Sequence, residues 1–255
     1  AKSYFLNNVI QMSEGFRGFT SFSLPVFIAL ILAWLLLFFY IKNGYESMKK
    51  CILAAFPIFI TLLISFLMYT LTLDNALDGI YSFLKPNLGA LMSLSAWANS
   101  FFLAIVSLGL SFGAMHAIGR RGKGFIVGNS FIVVISELII SIAIGLILFS
   151  VLGFLNMRQE TGIDKLIGVG FDFPFTVLAQ ALPFFYKPTL ASILFFILLS
   201  IFFVFGAASL AYSITHVFVR KFKAKRIHAA IIVAGCGFLF GLLFIIKPGL
   251  YIMDI

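Results

Sequence analysis

Six predominantly apolar tracts, divided by short polar or charged segments, constrain this chain more than any motif it contains. They lie at about residues 25–41, 52–71, 97–117, 125–155, 190–219 and 229–246, and they approach or exceed the ~20 residues with which an α-helix crosses a ~30 Å hydrocarbon layer. Inside such a layer every backbone N–H and C=O must find its partner within the segment, which makes helices the expected form. Charged residues make up only 11% of the chain against 62% hydrophobic ones. A soluble fold is thereby excluded, and the expectation is an all-α integral membrane protein with six transmembrane helices over 25–255. The fourth and fifth tracts are long for one crossing, so they either tilt or run on as amphipathic extensions. Residues 1–24 are mixed polar, start at Ala1 and lack a charged-then-apolar signal pattern. They read as an extracellular segment of a polypeptide entered partway along.

The cations order these spans across the membrane. Lys42, Lys49 and Lys50 follow the first span, Arg120, Arg121 and Lys123 the third, and Arg220, Lys221, Lys223, Lys225 and Arg226 the fifth, which is eleven of the eighteen cations. Only Glu46 opposes them. An excess of Lys and Arg marks cytoplasmic loops, so these three loops are expected in the cytoplasm and the N-terminal segment outside, with the spans in the plasma (cytoplasmic) membrane. The net charge of +9 is then a topology signal, with anionic lipid as a secondary partner, and it does not point to nucleic acid.

Glu137 is the only charged residue within the apolar tracts. An ionised side chain at bilayer depth costs a few kcal/mol or more unless it is paired or faces water, so such residues mark ion and proton paths. The alternative is a carboxyl kept neutral by burial. Other chemistry is thin. Cys51 and Cys236 are expected as free thiols, and His116, His216 and His228 fall on different segments without metal-ligand spacing. Gly109-Leu110-Ser111-Phe112-Gly113 matches G-x-S-x-G, but no strand precedes it, as a nucleophile elbow requires, and no catalytic residues or enzyme activity are expected. The small residues of Ser107-Leu108-Gly109-Leu110-Ser111-Phe112-Gly113 instead weaken helical hydrogen bonding in the middle of a crossing. Breaks of that kind turn carbonyls and hydroxyls toward a cavity, as secondary transporters do.

The tract Thr72-Leu73, Ala76-Leu77-Asp78-Gly79-Ile80, Phe83-Leu84-Lys85-Pro86-Asn87, Trp97 and Ser107-Leu108-Gly109 resembles the loop from helix five into helix six of the neurotransmitter:sodium symporters. Leu32-Ala33-Trp34, Ile147 to Phe154, Ile193-Leu194-Phe195-Phe196 and Pro248-Gly249-Leu250-Tyr251 extend the resemblance along the chain. It implies that the six spans are helices four to nine of a twelve-helix, LeuT-type inverted-repeat transporter, whose helices one to three and ten to twelve are partners outside this sequence.

The resemblance also implies a site. Ser107 falls on a sodium-coordinating hydroxyl near the substrate; Gly109 and Ser111 fall on the unwound substrate-facing stretch, and Phe112 on the aromatic that covers the substrate. Glu137 falls where the family usually has an Asn, and some members an acid, ligating the same sodium, which implies a sodium ligand or a proton-exchanging group; Ser141, one turn on, falls on its chloride-site serine. Leu103 replaces the glutamine of that chloride site. A fixed carboxylate would supply the charge that chloride otherwise brings, which implies chloride independence. In Gly206-Ala207-Ala208-Ser209 only Ser209 keeps a hydroxyl for the second sodium site. Gly170-Phe171-Asp172-Phe173-Pro174 and Ala179-Gln180-Ala181-Leu182-Pro183 resemble the extracellular plug. The expected function is therefore sodium-coupled symport of an amino acid or related amine by alternating access, with Na+ as the coupling ion and no organic cofactor. A proton-coupled or sodium-independent transporter of the same fold, and a non-transporting subunit or receptor, stand as alternatives.

Overall fold

The computed structural model describes residues 24–86, 88–110, 113, 117, 119, 125–159, 173–243 and 245. Among these the regular structure is helical: α1 (Leu24–Ile41), α2 (Tyr45–Leu71), α3 (Ala76–Leu84), a 3-10 turn (Ala90–Met92), α4 (Leu94–Ser107), α5 (Ile126–Gln159), α6 (Phe173–Ala181), a second 3-10 turn (Leu182–Phe184), α7 (Pro188–Phe222) and α8 (Arg226–Leu242). Four of the described helices, α1, α2, α5 and α7, are long and apolar enough to cross a membrane. The apolar helices α4 and α8 are shorter, at 14 and 17 residues. α2 starts at Tyr45, ahead of its apolar tract, because Tyr45-Glu46-Ser47-Met48-Lys49-Lys50 extends the helix with residues that keep their charges in water.

The chain divides into two compact units, residues 1–54 with 202–255 and residues 55–201. In the first, α1 packs on α8. Small residues make this possible: Ala229 and Ala230 are fully buried, and Gly237 and Gly241, one turn apart, accept the Trp34 indole and the Leu30 side chain directly against the backbone. A small-residue stripe of this kind lets membrane helices approach where lipid offers no hydrophobic drive. Phe27 adds a ring contact with Phe238 at 6.2 Å. The α1–α2 turn places Gly44 at φ +71° beneath the Arg226 guanidinium.

In the second unit α5 is the central element and packs on α3 and α6. Asn75 at φ 59° turns the chain into α3, and α3 then meets α5 backbone to backbone: a Cβ on Gly79 would strike the Phe149 carbonyl, and one on Gly153 would lie 2.7 Å from the Gly79 nitrogen. The Phe83 ring covers Gly145 and lies 4.9 Å from Phe149. Val151, Leu152 and Leu155 complete a buried seam. At the far end, Phe184 meets Phe154 at 5.9 Å and the Arg158 guanidinium sits over both rings, at 4.3 and 4.9 Å. Phe185 packs on Tyr69 of α2 at 4.6 Å, and the Tyr186 N–H donates to the Tyr69 hydroxyl at 2.9 Å.

Several hydroxyls on the long helices return to their own backbones. Thr61 donates to the Pro57 carbonyl, Ser65 to Thr61, Ser192 to Pro188 and Ser200 to Phe196, which satisfies them where water is absent. Ser150 departs from this pattern: its Oγ is fully buried and has no partner among the described residues.

Two substitutions separate these effects. Gly79→Ala forces backbone apart at the α3–α5 contact and is expected to destabilise the protein by about 1–3 kcal/mol. Ser150→Ala removes an unsatisfied buried hydroxyl and is expected to be neutral or stabilising by up to about 1 kcal/mol. Thermal unfolding midpoints of the two variants in one detergent, measured against the parent, check both signs.

Candidate functional site

The approach to the site is braced before α4 begins. The Trp97 indole N–H donates to the Leu91 carbonyl at 2.8 Å, which ties α4 to the preceding 3-10 turn, and the Ser93 and Ser95 hydroxyls share a bond of 2.7 Å. From Leu94 the helix runs to Ser107 and stops. The Gly109 N–H reaches back to the Val106 carbonyl at 3.0 Å and the Leu110 N–H to the Ile105 carbonyl at 3.1 Å, with Gly109 at φ +66°. That pair of bonds around a left-handed glycine is a Schellman cap, which satisfies the last carbonyls of a helix within the chain itself. Gly113 is also left-handed, at φ +67°. The helix thus ends where the serine and glycine pairs weaken it.

Ser107 occupies the last helical position, is exposed, and donates its hydroxyl to the Ala104 carbonyl at 3.2 Å. Its own lone pairs stay open, so it can still offer oxygen to a hard cation. Gly109 forms the cap. Ser111 and Phe112 lie outside the described residues, as does His116. Leu103 is exposed on α4, and no residue of α4 is buried.

On α5 the two candidate residues come together. The Ser141 hydroxyl donates to Glu137 Oε1 at 2.9 Å, as residues four apart on one helix face can. Around them Val134, Leu138 and Ile139 are exposed, and Glu137 itself is half-buried. The described residues offer Glu137 no cation. A carboxylate held by one hydroxyl retains acceptor capacity on both oxygens, and such an atom takes either a proton or a hard cation. No hydrogen bond links Ser107 to Glu137 among the described residues.

Ser209 belongs to the other unit. It is half-buried on α7 and donates to the Gly206 carbonyl at 2.8 Å, while Ala208 beside it is buried. Ser213 and Thr215 further along likewise bond backward, to Ser209 and Leu210 and to Ala211. Cys51 and Cys236 are free thiols, and the described residues contain no cluster of three or more His, Cys, Asp or Glu able to hold a metal. Sequence reasoning missed the capping bonds at Gly109 and the bracing by Trp97. The Leu108-Gly109-Leu110 pattern, a glycine flanked by apolar residues after a helix, is the signal for the first of these.

Comparison with known proteins adds the lineage. The profile of the Sodium:neurotransmitter symporter family matches residues 1–255. An uncharacterized sodium-dependent transporter of Methanocaldococcus jannaschii is 27% identical over 260 residues, which cover 99% of this chain and 52% of the relative. The sodium-dependent nutrient amino acid transporter 1 of Drosophila willistoni is 30% identical over 263 residues, 99% of this chain and 40% of that protein. The sodium- and chloride-dependent GABA transporter ine of Drosophila melanogaster is 30% identical over 203 residues, 78% of this chain and 21% of its own length. The chain therefore spans about half, or less, of the relatives it matches.

Gly113 permits a clean test of the backbone conformation after α4, because a Cβ there would meet nothing within 4 Å among the described residues. Gly113→Ala is expected to cost about 1–2 kcal/mol from its positive φ alone, read as a lowered unfolding midpoint. An unchanged midpoint would mean that this segment relaxes freely.

Proposed function

The chain belongs to the sodium:neurotransmitter symporter family, and on that premise we propose that the complete protein couples sodium entry to uptake of an amino acid or related amine by alternating access. The observation that carries the reading is the Glu137–Ser141 pair, a carboxylate and a hydroxyl joined at 2.9 Å halfway along an apolar helix. A charge so placed is expensive unless it serves an ion or proton path. Glu137 and Ser107 act as oxygen ligands for sodium near the substrate, and Gly109, Ser111 and Phe112 line the substrate itself. Ser141 stands at the chloride-site position, where the Glu137 carboxylate replaces the anion and makes transport chloride-independent. Ser209 is the remaining side-chain ligand of a second sodium site. This assignment treats the six apolar tracts as helices four to nine of a LeuT-type fold in the plasma membrane. The N-terminal segment lies outside, and the loops after the first, third and fifth spans lie in the cytoplasm. No step of this work forms or breaks a covalent bond.

A proton-coupled relative is the second reading, favoured by one observation: Ala208, where the second sodium site would need an adjacent hydroxyl, is buried and offers no oxygen. Losing one ligand from a small oxygen cage weakens cation binding.

Uptake of labelled amino acids by the complete protein in proteoliposomes, under sodium or potassium gradients with and without chloride, decides between them. The expected result is sodium-dependent, chloride-independent uptake. Glu137→Gln is expected to lower uptake at least tenfold without chloride, about 1.4 kcal/mol, with partial recovery when chloride is added. Uptake indifferent to sodium yet abolished by Glu137→Gln would replace sodium with a proton, and ligand binding without uptake would identify a receptor.

A further inference from the structure

The second unit carries an apolar groove with no part in the reading above. It lies between the Leu71 end of α2 and the Pro188 end of α7, and its volume is about 270 Å³. Phe66 and Phe185, both buried, form its floor. Leu62 on one side and Leu190, Ala191 and Leu194 on the other form its walls. Positions 62, 66 and 69 on α2, and 190, 191 and 194 on α7, each follow one helix face over one to two turns, with Lys187 just ahead of α7, which makes the trough roughly 10 Å long, parallel to the helices.

Few polar atoms line the groove, and most of their capacity is used within the chain. The Ser65 hydroxyl donates to the Thr61 carbonyl at 2.7 Å, and the Tyr69 hydroxyl accepts the Tyr186 N–H at 2.9 Å. An occupant of the interior gains little by carrying hydrogen-bonding groups, since most of them would lose their hydration without finding a partner. At the mouth the chemistry changes abruptly. Lys187 lines the groove with its ammonium 5.8 Å from the exposed Tyr186 ring, and no acidic residue lines it among the described residues. Tyrosine and lysine at the end of a membrane-crossing helix sit at headgroup level, where an apolar body meets water. An apolar trough two turns deep that opens beneath a cation with no ion partner among the described residues is complementary to a molecule with a hydrocarbon chain and an anionic head.

We propose that this groove holds an acyl chain of an anionic phospholipid, with the lipid phosphate resting against Lys187. The chain lies along Leu62, Phe66, Leu190 and Leu194. The charge on Lys187 selects an anionic headgroup over a zwitterionic one, since its ammonium attracts a lipid of net negative charge and gains less from one whose own cation neutralises the phosphate. The site is independent of the transport reading, because it uses none of the residues on α4 or α5.

The test uses the complete protein reconstituted in nanodiscs. One set of discs carries phosphatidylglycerol with a photoactivatable diazirine near the acyl terminus, and another carries the matching phosphatidylcholine. Peptide mapping after illumination is expected to place the phosphatidylglycerol label on segments containing Leu62–Tyr69 and Lys187–Leu194, at several times the phosphatidylcholine level. Leu190→Trp, which fills the groove, should cut that labelling several-fold, whereas Ile58→Trp on an exposed face of α2 should leave it unchanged. Lys187→Gln should bring the two lipids to equal labelling. The proposal is overturned by equal labelling of the two lipids in the parent protein, or by label spread evenly over exposed α2 positions. It is also overturned if the groove takes no label, which would mean that another segment of the complete protein, or a partner protein, covers it. The parent measurement stands without any variant, so a substitution that fails to fold does not shield the proposal.

Discussion

Two glycines let α3 and α5 share a contact that no side chain could enter, and the second unit depends on it. With Gly79 against the Phe149 carbonyl and Gly153 against the Asn75 carbonyl, the two backbones interlock, and the Phe83–Phe149 ring pair closes the seam on one side. Membrane helices have little hydrophobic incentive to associate, since lipid chains are as apolar as leucine. Close backbone approach substitutes dispersion over a large matched surface, and it fixes α5 against α3. From that anchored half the Phe154, Arg158 and Phe184 cluster fixes the 3-10 turn at Leu182, which in turn fixes Phe185 on Tyr69.

α5 is accordingly two helices in one. Its C-terminal half is buried through Val151, Leu152 and Leu155, while its N-terminal half, from Ile126 to Ile142, is mostly exposed. Glu137 and Ser141 sit on the exposed half, one to three turns before the anchored seam. Precision is thus supplied by rigid packing and delivered to residues that do not themselves contribute to it. The same division of labour holds on α4, where Trp97 and the serines are tied down at one end while Ser107 stays open at the other.

What the sequence made legible follows from which physics is local. Apolar tract length announces the crossing helices, and a lone glutamate in an apolar field announces itself, because both depend only on the solvent. The stop after Ser107 was legible as a weakness, since glycine and serine weaken helices anywhere. Its cap was not read, although Leu108-Gly109-Leu110 encodes it. The start of α2 at Tyr45 was hidden because Lys49 and Lys50 end the apolar tract without ending the helix. Gly79 and Gly153 could not be paired from sequence, since they lie far apart along the chain and meet only through tertiary packing. The placement of Ser107 relative to Glu137 is of the same kind: each residue stands out on its own segment, and nothing local states the distance between them.

The Schellman cap at Gly109 bears on what the end of α4 asks of its surroundings. Its bonds from Gly109 and Leu110 to Val106 and Ile105 close the helix with the chain's own atoms. Those two carbonyls need neither water nor a neighbouring helix, so the end of α4 can lie in an apolar environment without the cost of orphaned backbone groups there.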